Sequence, residues 1–417
     1  MFKKLGSKNK PGNWKNVQPV EIAVSKKVLD DLRRRLINTR WPDEIPNTGW
    51  DYGTSLEYMK EFVDYWLNKY DWREEEARLN KFHHYKANVD GLGIHFIHES
   101  GKGPNPIPLL MMHGYPWSVA TLYRIIPMLT DPAKYGGDPK DAFTVIAPSL
   151  CGFCLSDPPK HRGFNVPAHA EKYHKLMADL LGYKRYGIEG GDWGGIICWP
   201  FGHNYPDELI GIHINYMGIR MRDEVPPEER DPNIIRGIGL QGAPIRPKDP
   251  DQLRFWKAAE RYWLYEGGYA HINMTRPQSI SYAMTDSPVG MAAWFIEKFR
   301  AWSDWDDDFE KVFSRDELIT NVMLYWINNT FCSAIRIYYE SHHNPWTVKE
   351  GNKVKVPTGI AAFPKDIVPI IKSQAEKYFN VTHFTEFKRG GHFAIHEQAE
   401  VLAPDIREFF RSLREEK

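Results

Sequence analysis

Apolar residues near the start of the chain recur at helical spacing. Val28, Leu29, Leu32 and Leu36 fall on one stripe behind Ser25, a candidate N-cap, and the pattern stops at Asn38-Thr39-Arg40-Trp41-Pro42. A second stripe, Leu56, Met59, Phe62, Val63, Trp66, Leu67 and Tyr70, predicts another helix, and a short third one covers about 73–82. These stripes need a partner surface, most simply the outside of a main domain. Residues 1–19 carry Pro11, Gly12 and Pro19 but no stripe, and are expected to form a flexible arm. The period then shortens. Asp90-Gly91 separates the extended runs 82–89 and 94–98, a strong hairpin signal. Residues 107–112 are nearly all apolar, as in a strand covered on both faces. A helix about 119–129, a strand 143–147, a helix from near Pro167, a strand 186–188, a helix to about His203 and a strand 210–217 follow. Such alternation predicts an α/β fold with a mostly parallel sheet and right-handed crossovers.

The character changes at about 220. Residues 221–251 are rich in Pro, Arg, Asp and Glu, and helical patterns then run on without strands. Ser287-Pro288 suits an N-cap and first helical position. Ser314-Arg315-Asp316-Glu317 is a capping box opening one long helix through Tyr338. Strands resume at 356–363 and 383–387, and a last helix spans about 397–413. The expected organisation is an N-terminal arm and helical meander (1–85), a sheet-forming core in two parts (86–219 and 349–417), and a helical lid (220–348) inserted between them.

Composition narrows this little. The 417 residues are 42% hydrophobic and 26% charged, an ordinary globular balance. With 54 basic and 54 acidic residues, no global field favours nucleic acid or an acidic membrane. Aromatic residues make up 14%, which suits an aromatic-lined pocket for an apolar ligand. No run reaches the ~18 apolar residues of a membrane span. Four cysteines do not make a secreted disulfide scaffold; Cys151 and Cys154 form a lone C-x-x-C, expected to be reduced and structural. A soluble, cytoplasmic protein is expected.

Chemistry enters at Gly190-Gly191-Asp192-Trp193-Gly194, between a predicted strand and helix. The pattern is the G-x-S-x-G nucleophile elbow of α/β-hydrolases with aspartate in place of serine; alone, it is equally a helix-capping Asp. Two later strand ends add to it. Asp366 follows 356–363, and His392 follows 383–387 through Gly390-Gly391. The order Asp192, Asp366, His392 is the nucleophile, acid, histidine order of that fold. His396 competes as the base, and Asp223 or Glu224, after the strand 210–217, competes as the acid. His113-Gly114-Tyr115-Pro116-Trp117-Ser118 follows a core strand where an oxyanion hole is expected, built from the backbone N–H groups of Tyr115 and Trp193. A carboxylate nucleophile suits attack on a saturated carbon, giving an ester that water then cleaves. An epoxide and a halide both meet that description. They differ in whether the leaving group needs a proton donor.

The chain resembles the microsomal-type epoxide hydrolases and their soluble fungal and bacterial relatives, over nearly its whole length. The motifs are Asn38-Thr39-Arg40-Trp41-Pro42, Tyr70-Asp71-Trp72-Arg73, Gly190-Gly191-Asp192-Trp193-Gly194, Asp286-Ser287-Pro288-Val289-Gly290, Asn321-Val322-Met323-Leu324-Tyr325-Trp326 and Gly390-Gly391-His392-Phe393-Ala394. The resemblance implies the α/β-hydrolase fold and a cofactor-independent epoxide hydrolase. It implies Asp192 as nucleophile, His392 as base, Asp366 rather than Asp223 or Glu224 as acid, and two lid tyrosines as proton donors. Tyr269 matches the first and Tyr338 the second, with Tyr339 one residue away. The departures are Tyr115 and Trp117 in the oxyanion loop, where Trp117 is expected to narrow the site, Cys151 and Cys154 where Pro and Gly are usual, His396 for leucine, and no membrane-anchoring helix. The implied partner is a small-molecule epoxide, with a homodimer left open. A haloalkane or haloacid dehalogenase and a non-catalytic binder of apolar ligands are the alternatives.

Overall fold

The structure, a computed structural model, describes residues 2–4, 14, 16–218, 248–346, 348 and 352–414. Ten strands form one sheet: β1 (Phe2–Lys4), β2 (Val17–Ile22), β3 (His84–Val89), β4 (Leu92–Glu99), β5 (Ile107–Met112), β6 (Phe143–Pro148), β7 (Tyr186–Gly190), β8 (Leu209–Ile214), β9 (Val354–Ala362) and β10 (Phe379–Glu386). Their order is β1-β2-β3-β4-β6-β5-β7-β8-β9-β10. β1 to β4 pair antiparallel, β4 joins β6 antiparallel, and the strands from β6 to β10 run parallel. The hairpin turns at Asp90 and Gly91, both at positive φ (49° and 82°), the geometry a two-residue hairpin loop requires.

β1 and β2 correct the expected flexible arm. Val17, Val20 and Ile22 are buried, and β2 zips onto β3 from Val17↔Ala87 to Val20↔His84. The proline density hid a strand whose partner lies some seventy residues on in sequence, as Val17↔Ala87 shows.

Successive residues of a strand point to opposite faces, and β8 shows what covers each. A Cβ on Gly211 would meet Phe409 and Leu413, at the end of the helix Ala399–Arg411, whereas Ile212 meets Gly202 of the helix Trp193–Asn204. β7 is buried along its whole length. Its C-terminal edge is therefore the place where a loop side chain can be held above the sheet without competing for the core.

Helices from Pro250 to His343 lie between β8 and β9. Two expectations change here. The helix opened by the Ser314 and Glu317 capping box stops at Trp326, and a second helix starts at Phe331. Between them Asn329 takes φ 54°, and Asn328 donates to the Leu324 carbonyl at 3.0 Å, so the two asparagines turn the chain. The meander helices Lys26–Ile37 and Leu56–Asn68 also meet the helix Pro288–Trp302 rather than only the outside of the core. Tyr58 donates to Glu310 at 2.7 Å, Tyr65 to Asp316 at 3.0 Å, and Arg35 pairs with Asp286 at 2.7 Å. The stretch Asp223-Glu224 lies outside the described residues.

Phe62 is fully buried at this seam, beside Tyr58 and Trp66. Phe62→Ala should lower the unfolding free energy by about 3–5 kcal/mol through lost burial and a cavity. Chemical denaturation measures it, and a change below about 1 kcal/mol would show that the meander contributes little to the fold.

Candidate active site

Asp192 stands between β7 and the helix Trp193–Asn204 at φ 49° and ψ −124°, a conformation that costs a non-glycine residue about 1–3 kcal/mol. The close approach behind it requires glycine: a Cβ on Gly194 would lie 2.1 Å from the Met112 carbonyl oxygen. The side chain makes no capping hydrogen bond to its helix, which removes the capping explanation. One carboxylate oxygen, Oδ1, accepts the Tyr115 N–H at 2.7 Å, and Oδ2 lies 3.3 Å from His392 Nε2. Gly114 is needed beside it, since a Cβ there would sit 2.1 Å from Oδ1. No hydrogen bond from the Trp193 amide to Asp192 is observed; its ring stands edge-on to Tyr338 at 4.7 Å.

His392 is fully buried, and its Nδ1 lies 2.7 Å from Asp366 Oδ1. Asp366 Oδ1 also accepts the Ile367 N–H at 2.6 Å. Burial pulls the imidazole toward the neutral form. The two carboxylates, Asp366 first, outweigh it and hold the pKa up at about 10. Both ring N–H groups then donate, one to each carboxylate. Burial pushes the Asp366 carboxyl up, against the pull of His392.

The loops carrying Asp366 and His392 are tied together. Lys365 donates its N–H to the Gly390 carbonyl at 3.1 Å, and His392 donates its own to Trp302 at 2.8 Å. Glu397 accepts the amides of Asp304 (2.8 Å), Gly391 (3.0 Å) and Phe393 (2.8 Å); burial lifts its carboxyl to about 7 against those donors. Asp304 accepts Gly390 at 2.8 Å and pairs with Lys365 at 2.6 Å.

A cluster of phenols faces this group. Tyr269 and Tyr338 are buried with ring centroids 5.9 Å apart, and Tyr115 lies 6.1 Å from the first and 5.7 Å from the second. Burial raises both phenols, and the Asp192 charge adds to it. Tyr339 instead stacks on His343 at 4.0 Å, so Tyr338 is the residue in the site. Tyr216, 5.2 Å from the His392 ring, and Tyr262, whose hydroxyl is 2.8 Å from that of Tyr269, belong to the same cluster. Sequence reasoning passed over Tyr216, Tyr262, Trp302, Asp304 and Glu397. Tyr262 precedes Tyr269 by seven residues, but the wide turn Tyr262–Glu266 between them breaks the regular helical period, so no sequence signal marked it.

Of the competitors, His396 makes other contacts, whereas Asp223 and Glu224 lie outside the described residues. His396 stacks on Phe313 at 4.6 Å with Nε2 3.3 Å from the Val312 carbonyl, and burial lowers it to about 4. Trp117 packs against His392 and Phe393, with ring centroids 6.0 Å and 5.1 Å away. Cys151 and Cys154 are free and buried, and burial pushes the Cys151 thiol up to about 12. Among the described residues no group of His, Cys, Asp and Glu side chains forms a metal cage, and no helix is long and apolar enough to cross a membrane.

A carboxylate on a strained elbow, an imidazole between two carboxylates and a mostly parallel sheet define an α/β-hydrolase. Residues 107–215 match the alpha/beta hydrolase fold model, and residues 17–122 match the epoxide hydrolase N terminus. The chain is 34% identical to epoxide hydrolase 1 of Sus scrofa, over 99% of this chain and 92% of that protein. It superposes on the juvenile hormone epoxide hydrolase of Bombyx mori with a TM-score of 0.79 and 28% identity, covering 96% of this chain and 95% of that one. Against the Aspergillus niger epoxide hydrolase the TM-score is 0.78 at 27% identity, over 95% and 96%. The chain belongs to the epoxide hydrolase family.

Removing the Asp192 charge takes away one of the two supports of the His392 cation. In Asp192→Asn the His392 imidazole should therefore titrate well below its position near 10 in the parent, as followed by side-chain nitrogen NMR. An unchanged titration would mean that Asp192 does not hold that proton.

Proposed function

We propose that this enzyme opens an apolar epoxide through a hydroxyalkyl ester on Asp192. The observation carrying the reading is that Tyr115, whose amide holds Asp192 beside His392, packs its ring against two buried phenols, Tyr269 and Tyr338. Oδ1 of Asp192 stays with the Tyr115 amide, and Oδ2 attacks a ring carbon. The carbon–oxygen bond breaks toward oxygen, which takes a proton from one of the two tyrosines. An alkoxide needs such a donor and a halide does not, which favours an epoxide over a haloalkane or haloacid. A complete set of acid, base and nucleophile argues against a passive binder.

Ester formation cancels the Asp192 charge, and the His392 pKa falls. Its proton passes to the tyrosinate, which restores the phenol and leaves a neutral imidazole. That imidazole takes a proton from water as the water attacks the ester carbonyl. Asp366 orients the ring and stabilises its charge. The oxyanion is held by the N–H groups of Tyr115 and Trp193. Collapse releases the diol and returns the Asp192 carboxylate beside a protonated His392. The cycle closes with no external proton and no cofactor.

On this reading the helices from Pro250 to His343 act as the lid that brings the phenols over the elbow, with the meander helices Lys26–Ile37 and Leu56–Asn68 packed against them and the sheet forming the core. The aromatic surround favours apolar epoxides, in line with the juvenile hormone named for the Bombyx mori relative. Free cysteines suit a soluble enzyme of a reducing, cytoplasmic compartment. A homodimer is proposed for its assembled state.

With styrene oxide as probe, His392→Gln should slow turnover by roughly 10²–10⁴-fold and leave an adduct of the epoxide's mass on the Asp192 peptide. An inactive variant without that adduct would sink the covalent route. Changing Tyr269 and Tyr338 together to Phe should abolish diol formation, and retained turnover would remove them as donors.

A further inference from the structure

Tyr269 has a partner that the reaction above leaves unused. The Tyr262 hydroxyl lies 2.8 Å from the Tyr269 hydroxyl, and both residues are only 5% exposed. Tyr262 opens the wide turn Tyr262–Glu266 that leads to the helix Gly268–Thr275 carrying Tyr269. The Tyr269 ring is clamped by Tyr115 at 6.1 Å, by Trp302 at 5.2 Å, and by the buried Lys298 ammonium 5.3 Å from its centre. With the ring fixed, the variable left is the direction of one O–H bond. Either hydroxyl of the pair can be the donor. If Tyr269 donates to Tyr262, its proton points away from the substrate. An epoxide oxygen can only accept, so the productive arrangement has Tyr262 donating to Tyr269 and Tyr269 donating to the epoxide. The same chain polarises the Tyr269 O–H before transfer and gives the resulting phenolate a hydrogen bond after it.

We infer that Tyr262 is a positioning residue whose hydroxyl, donated to Tyr269, aims the Tyr269 proton at the epoxide oxygen and stabilises the phenolate left behind. The inference rests on Tyr269 serving as a proton donor. It assigns Tyr262 to ester formation alone, because the phenolate exists only between that step and its reprotonation by His392.

Tyr262→Phe keeps the ring and removes only the oxygen. Ester formation from styrene oxide is timed as mass gain on Asp192 in the His392→Gln background, and ester hydrolysis in single turnovers of the otherwise native enzyme. Tyr262→Phe should slow ester formation on the order of tenfold, the size of one hydrogen bond to a charged group. It should leave ester hydrolysis and the melting temperature unchanged, and it should have no added effect once Tyr269 is Phe. A rate within twofold of the parent, or the same slowing whether or not Tyr269 is Phe, overturns the inference. A loss shared equally by both chemical steps overturns it as well, whether or not the variant melts early. Tyr269→Phe decides the parent assignment separately. If it leaves ester formation at the native rate, the donor role itself fails; if it slows the step while Tyr262→Phe does not, only the role of Tyr262 fails.

Discussion

One imidazole placed between two carboxylates, all three out of water, is the constraint around which this molecule is arranged. Two carboxylates and one imidazolium leave a net negative charge in a low-dielectric setting, and such a group stays ionised only where geometry and hydrogen bonds compensate. The compensation comes from main-chain amides. Tyr115 serves Asp192, Ile367 serves Asp366, and the base loop is pinned through Trp302, Asp304 and Glu397. Glu397 and Asp304 bond to the chain around His392, at Gly390, Gly391 and Phe393. They matter because a base loop free to shift would break the 2.7 Å contact with Asp366 and the 3.3 Å contact with Asp192 together.

The lid answers a second need of the same site. On the proposed mechanism a carboxylate attacking an epoxide needs acid at the oxygen, and the core phenols Tyr115 and Tyr216 are joined there by two from the inserted helices. Tyr262, Tyr269 and Tyr338 come from elements inserted between β8 and β9, and the N-terminal helices clasp the inserted region in turn through Tyr58, Tyr65 and Arg35. The meander thus acts on chemistry only at third hand, by holding the helices that hold the tyrosines.

Local signals were legible in the sequence. The Asp90-Gly91 turn, the caps at Ser287 and Ser314, the apolar strands and the three side chains at strand ends all lie where the residue pattern puts them. What escaped depends on distant partners. β2 adds to the edge that β3 offers, and β1 in turn adds to β2. The break at Asn329 looks like helix until the packing of two segments demands a turn. Tyr338 and Tyr269 came from family likeness, since burial and direction, not residue type, separate them from the other nineteen tyrosines among 21. Tyr262, Tyr216, Asp304 and Glu397 carry no motif, and only the folded chain shows what each touches.

The contact between Asp192 and His392 joins positions 200 residues apart. β8 and β9, neighbours in the sheet, are separated in sequence by the whole lid. During synthesis the elbow is made when less than half the chain exists, and His392 arrives near the very end. Loop closure over such spans is slow, so a growing chain can form the hairpin, the meander and the first parallel strands while the reactive carboxylate is still uncoupled. On the proposed mechanism the chain is therefore inert until its last strand has docked, because only then do Asp192 and His392 meet.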